Sequence, residues 1–165
     1  MEMDRKIEEK NFIVNGKQFR LKIEDHWTLA YVLRDKLGFT GTKIACDNGA
    51  CGACTVLLEG EPVLSCMVLA VECENKNIMT IEGVSDGAHL HPIQKAWIEE
   101  HGAQCGFCSP GFIMVAKALL DGIASPTKED IKEALSGNIC RCGNYDHIIS
   151  SVLTAAEKMR EENHG

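Results

Sequence analysis

Eight of the nine cysteines in this 165-residue chain fall into two sets of four, and no other feature constrains the fold as strongly. Cys46, Cys51, Cys54 and Cys66 lie in the first half, Cys105, Cys108, Cys140 and Cys142 in the second, and Cys73 stands apart. The length admits one large domain or two small ones. Each half would be small for stability on apolar burial alone, so a disulfide or a metal is expected to staple it.

The compartment bears on which staple. Met1 to Ala30 contains Asp4, Glu8, Glu9, Glu24 and Asp25 and no apolar run of the kind a secretory signal needs. No stretch approaches the ~18 uninterrupted apolar residues of a membrane span. A reducing cytoplasm is therefore expected, where thiols stay free and bind metals more often than they form disulfides. A net charge of −7 argues against a nucleic-acid partner, whose footprint would be basic, and is accounted for by solubility.

The texture of the chain changes at its middle. Phe12 to Ile23 holds two apolar-rich runs around Asn15-Gly16, a dipeptide that favours positive φ at both central turn positions, so a β-hairpin is predicted. Leu29, Val32, Leu33 and Leu37 recur at helical spacing within Thr28 to Leu37, with Gly38 as the stop. Thr55–Leu58, Pro62–Leu64 and Asn77–Ile81 read as short strands. The order is that of an α+β fold with a small sheet wrapped on a helix.

Gly83 to Pro92 is turn-rich and reads as a linker. The predicted division is 1–83, a linker at 84–91, and 92–165. Four helices are predicted in the last part. The first opens at Pro92. The second starts at Ser109-Pro110, where proline removes an N–H that has no intrahelical partner, and ends at Gly122. The third is capped by Thr127 with Asp130 three residues on, and the fourth runs from Tyr145 to Glu162. Four short helices can close a small bundle.

Cys46, Cys51 and Cys54 have C-x4-C-x2-C spacing, with Cys66 further on, which is the plant-type [2Fe–2S] pattern. Gly49 and Gly52 lie between these cysteines, where a backbone free of Cβ can turn tightly and bring N–H groups to sulfur. Structural zinc also takes four thiolates, but favours paired C-x2-C knuckles. The second set, Cys105-x2-Cys108 and Cys140-x-Cys142, is ambiguous on spacing, and zinc stays open there. Cys108 and Cys142 each precede a predicted helix, whose N-terminus favours thiolates and anionic groups.

From Cys46 through Cys66 to Gln104-Cys105 and Cys142 the sequence resembles the small iron–sulfur subunit of the xanthine oxidase (molybdenum hydroxylase) family. The likeness runs from about Phe12 to about Ala156 and takes in Ala53-Cys-Thr-Val56, Thr80-Ile-Glu-Gly83 and Leu135-Ser-Gly-Asn138. It implies an N-terminal β-grasp ferredoxin domain followed by a four-helix-bundle domain, each holding one [2Fe–2S] cluster. The first four cysteines would bind the cluster nearer the flavin, and the second four the buried cluster nearer the molybdenum cofactor. Gln104 and Cys142 would touch the pterin. Partners would be a large molybdopterin-binding subunit and a medium FAD-binding subunit, in an αβγ hetero-oligomer that can itself dimerise. The chain would carry electrons one at a time between molybdopterin and FAD. The rival reading is a free-standing two-cluster ferredoxin or a zinc-stabilised adaptor. One departure stands out: many relatives read C-R-C-T-G-Y where this chain has Cys140-Arg-Cys-Gly-Asn-Tyr145.

Other candidates are set aside. Cys73 is expected as a small half-buried residue. His26, His89, His91, His101, His147 and His164 show no C-x-H pairing of a Rieske-type site, and His89 and His91 are assigned to a solvated linker. Trp97 and Ile98 are assigned to a bundle core or a subunit seam.

Overall fold

The N-terminal hairpin sets the sheet. Strands β1 (Ile7–Val14) and β2 (Lys17–Glu24) pair antiparallel, with Val14 opposite Lys17. Asn15 and Gly16 both take positive φ, 51° and 74°, as a two-residue turn of this kind requires. Alternation then drives Phe12, Val14 and Ile23 fully inward. The computed structural model describes residues 7–164. Met1 to Lys6, which enter the leader-sequence expectation, and the side chain of His164 lie outside the described residues.

The predicted helix at Thr28 begins as expected, with the Thr28 hydroxyl accepting from the N–H of Tyr31. Only α1 (Leu29–Tyr31) is α-helical, and Val32–Lys36 continues as a π-helix. Leu29, Val32 and Leu33 are buried together in the sheet's core. Strands β3 (Thr55–Leu58) and β4 (Glu61–Leu64) follow, then β5 (Asn77–Met79). The last strand is shorter than predicted, since Ile81–Gly83 turns into a 3₁₀ helix. Five strands form one mixed sheet in the order β2-β1-β5-β3-β4, with β1 and β5 parallel and the other pairs antiparallel.

Helices α2 (Pro92–Glu99), α3 (Ser109–Gly122), α4 (Lys128–Ala134) and α5 (Tyr145–His164) make up the remainder, with starts within a residue of those predicted. Thr127 and Asp130 form a reciprocal capping box. The segment 84–91 is not uniformly solvated: Val84 is buried in the helical core, and His91 caps α2 by accepting from the N–H of Ile93. Pro92 follows at the first helical position, where a missing N–H costs nothing.

Strand β3 joins the two halves. Successive side chains of a strand face opposite sides. Val56 faces the core of the sheet half with Phe12, Ile23 and Leu33, while Leu57 enters the helical core with Phe112, Met114 and Ile148. Helix α3 therefore covers the back of the sheet, and its start at Cys108 lands beside the loop that carries Cys51 and Cys54. The molecule is a mixed α+β fold.

Candidate functional site

The first cysteine set is held by a loop and a neighbouring turn. Cys46 and Cys51 lie on the loop before β3, Cys54 is its last buried residue, and Cys66 sits in a 3₁₀ turn after β4. Ser65 fixes these pieces in register, its hydroxyl donating to the carbonyl of Cys54 at 2.6 Å. The loop entry is clamped twice. Arg34 donates to the carbonyls of Thr40 and Thr42 at 3.0 and 2.5 Å, and Glu82 accepts from the N–H of Gly41 at 2.7 Å.

Backbone N–H groups converge on sulfur here. Those of Asn48, Ala50 and Cys51 point at Cys46, and with the Cys51 thiol they bring its pKa from 9.0 down to about 7, Asn48 contributing most. Gly49, at φ 80°, turns its N–H to Cys66. Burial nevertheless dominates at Cys66 and pushes its pKa up to about 11, with the hydrogen bond to Cys54 adding to it. Such a loop stabilises negative charge on sulfur.

The second set gathers at the starts of two helices. Cys108 is the N-cap residue of α3, Cys105 precedes it on the exposed turn, and Cys140 and Cys142 lie on the segment leading into α5. The N–H of Phe107 and the Cys142 thiol lower the pKa of Cys105. Burial and the hydrogen bond to Cys140 push Cys108 up to about 12. Cys140 is anchored by its N–H, which donates to the Tyr145 hydroxyl at 2.9 Å, and its sulfur accepts from the N–H of Asn144 at 3.5 Å. Gln104 is exposed beside Cys105, and its Nε2 donates to Asn144 Oδ1 at 3.3 Å.

Within each set hydrogen bonds link Cys46 with Cys51, Cys54 with Cys66, Cys105 with Cys142 and Cys108 with Cys140, while Cys66 also lies near enough to Cys46, and Cys108 to Cys105, for their charges to interact. Among the described residues no group of three or more His, Cys, Asp or Glu converges to hold a single ion. Two thiolates per iron on a sulfide-bridged pair of irons is the demand of a [2Fe–2S] cluster, and the linked thiols of each set are compatible with it.

The two sets are tied together. The N–H of Ile139 donates to the carbonyl of Cys51 at 3.0 Å, and Asn138 Nδ2 donates to the carbonyl of Gly52 at 3.0 Å. A Cβ at Gly52 would meet Asn138 Nδ2 at 2.5 Å, so the glycine, at φ 71°, serves this approach as well as the loop. Asn138 and Asn144 were not singled out by sequence reasoning for this site. Their signal was faint: two asparagines flanking Cys140 and Cys142.

Cys73 lies apart from both sets. It is fully buried rather than half-buried, its sulfur donates to the Leu69 carbonyl at 3.7 Å, and burial pushes its pKa up to about 11. Trp97 is buried, with Nε1 donating to Ser109 Oγ at 3.2 Å, whereas Ile98 is exposed.

Residues 12–79 match the family described as the 2Fe-2S iron-sulfur cluster binding domain, and residues 80–153 match the [2Fe-2S] binding domain. The nicotine 6-hydroxylase small subunit of Paenarthrobacter nicotinovorans is 45% identical over 150 residues, covering 91% of this chain and 90% of that one. The chain belongs to the small iron–sulfur subunits of the molybdenum hydroxylase family. A solved structure of quinoline 2-oxidoreductase from Pseudomonas putida 86 superposes on this small subunit with a TM-score of 0.90 at 38% identity, covering 94% of this chain and 97% of that one. The aldehyde oxidoreductase of Megalodesulfovibrio gigas is 44% identical over 90% of this chain, which spans 17% of that longer protein. The small subunit is accordingly an electron-transfer component of a hetero-oligomeric oxidoreductase and carries two [2Fe–2S] clusters. Among its described residues no helix is long and apolar enough to cross a membrane.

Proposed function

We propose that Cys46, Cys51, Cys54 and Cys66 hold one [2Fe–2S] cluster and Cys105, Cys108, Cys140 and Cys142 the other. The gathering of each set's thiols, linked by hydrogen bonds and met by backbone N–H groups, carries this reading. Each cluster, when bound, takes up and releases one electron. The chain's own part is to hold, orient and shield. The N–H groups of Asn48, Ala50 and Cys51 offset negative charge at Cys46, and the N–H of Asn144 does so at Cys140. The bond from Ile139 N–H to the Cys51 carbonyl gives a short covalent and hydrogen-bonded connection between the two sets.

The sheet half, 1–83, is read as a β-grasp ferredoxin domain, supported by its parallel β1/β5 pair and its strand order. Residues 84–91 are read as the junction and 92–165 as a four-helix bundle built from α2 to α5. Gln104 and Cys142, both exposed, are assigned to contact the pterin on a large molybdopterin-binding subunit. A medium subunit would carry FAD. The apolar side chains exposed beside the second set, Phe107, Ile139 and Tyr145, suit burial against a partner. The names of the relatives point to oxidation of an N-heterocycle or an aldehyde on the partner chain, and the acidic, signal-free N-terminal sequence is read as that of a cytoplasmic complex.

The test is metal analysis with EPR of the reduced complex. About four irons and four sulfides per chain with two distinct signals are expected. Cys51→Ser should disturb only one signal and Cys140→Ser only the other. Zinc without sulfide, or loss of both signals in each variant with the fold intact, would overturn the assignment.

A further inference from the structure

Asn144 is 4% exposed, and both ends of its side-chain amide are engaged. Its Nδ2 donates to the carbonyl of His101 at 2.9 Å, and its Oδ1 accepts from Gln104 Nε2 at 3.3 Å. A carbonyl oxygen only accepts, so His101 dictates which end of the Asn144 amide is nitrogen. The Asn144 oxygen is left facing Gln104 and can meet only an N–H there. Gln104 must therefore turn its nitrogen inward, and its Oε1 is directed away from Asn144.

The reference point of this relay is rigid. The N–H of Gly102 donates to the Trp97 carbonyl at 2.8 Å. A Cβ at Gly102 would meet Ser151 Oγ at 2.7 Å and the Trp97 ring at 2.8 Å, so the turn that carries the His101 carbonyl is packed from both sides. The backbone of Asn144 is held as well, through its N–H to Cys140.

We propose that Asn144 is a positioning residue: it fixes the orientation of the Gln104 amide so that Gln104 offers its carbonyl oxygen, as an acceptor, to N–H donors of the partner's pterin. The inference rests on the Gln104–pterin contact proposed above. It gives a role to the Gly143-Asn144 departure, because the C-R-C-T-G-Y form places glycine at position 144 and removes the amide that sets Gln104.

The complete complex is dialysed, and release of the pterin is followed by the fluorescence of its oxidised form. Gln104→Ala should accelerate release about fivefold, the effect of one ordinary hydrogen bond. Gln104→Glu keeps an outward oxygen but has no hydrogen for Asn144 Oδ1, so it should release as fast as the alanine variant. Asn144→Ala should match them, and Asn144→Ala with Gln104→Ala should be no faster than either alone. Iron, sulfide and both EPR signals should stay as in the native complex. Native release from Gln104→Glu beside fast release from Gln104→Ala would overturn the role of Asn144 and leave the pterin contact standing. So would effects of Asn144→Ala and Gln104→Ala that add. Native release from Gln104→Ala would overturn the contact itself. If Asn144→Ala fails to assemble, the Gln104→Glu arm decides, since Gln104 is exposed and its replacement leaves the core intact.

Discussion

Asn138 donates its side-chain amide to the carbonyl of Gly52, joining residues 86 positions apart that lie next to the two cysteine sets. That carbonyl also accepts from the Thr55 hydroxyl at 2.7 Å, so it keeps a partner when Asn138 is truncated. Asn138→Ala should therefore lower stability by only about 1 kcal/mol in urea unfolding. Asn138→Asp sets a carboxylate against a carbonyl and should be the more damaging of the two. An aspartate variant as stable as the alanine variant would count against this hydrogen bond as the tie between the halves.

Helix α3 approaches the first loop through Gly111. A Cβ there would collide with the carbonyl of Gly52, which is backbone and has no rotamer to give way. Gly111→Ala should lower stability by about 1–3 kcal/mol through overpacking. Gly122→Ala, at the other end of the same helix, meets nothing within 4 Å and should be neutral or stabilising by about 0.5–1 kcal/mol. Thermal unfolding of the two variants side by side checks the contrast.

The loop before Cys46 depends on Arg34. Its Nη1 donates to two carbonyls, those of Thr40 and Thr42, and a lysine stem, one atom shorter, ends short of that position. Arg34→Lys should speed loss of iron from the first set under chelator challenge, by about fivefold, as expected for a lost bond of roughly 1 kcal/mol. The EPR signal of the second set should persist. Parallel loss of both signals would show that Arg34 acts on the whole fold instead.

His91 gives the fold an acid sensitivity. Its Nδ1 accepts from the N–H of Ile93, a role open only to the neutral ring. Burial, then the nearby Lys117, lowers its pKa below the ordinary 6.5, while Asp121 and Glu162 pull the other way and Lys95 adds to the lowering. A folded-state pKa below the unfolded one means that the stabilisation is complete above pH 6.5 and is lost as pH falls through the folded value. His91→Asn keeps a cap without a titrating ring. Unfolding temperatures compared at about pH 7.5 and about pH 5 should fall less in this variant than in the native chain.

Much of the local structure could be read from the chain before any coordinates. The hairpin at Asn15-Gly16, the helix start at Ser109-Pro110 and the Thr127/Asp130 box each depend on a few adjacent residues. The expectations that changed were ones that local signals do not control. The segment after Tyr31 winds as a π-helix while burying Val32 and Leu33, and β5 ends at Met79 where Thr80 bonds to Asn15 across the fold. Half-burial at Cys73 became full burial because the sheet core closes over it.

By itself the sequence showed two groups of four cysteines and most of the elements that carry them; spacing singled out the first group, because it limits which thiolates one loop can present, while the second was grouped by resemblance. Which thiols are linked by hydrogen bonds, how Asn138 ties the sets, and how His101 orients Asn144 toward Gln104 were decided by tertiary structure alone. The last two depend on hydrogen-bond direction between residues 40 or more positions apart. Only the packing of α3 on β3 and the approach of the 138–144 segment to both loops brings the atoms within reach.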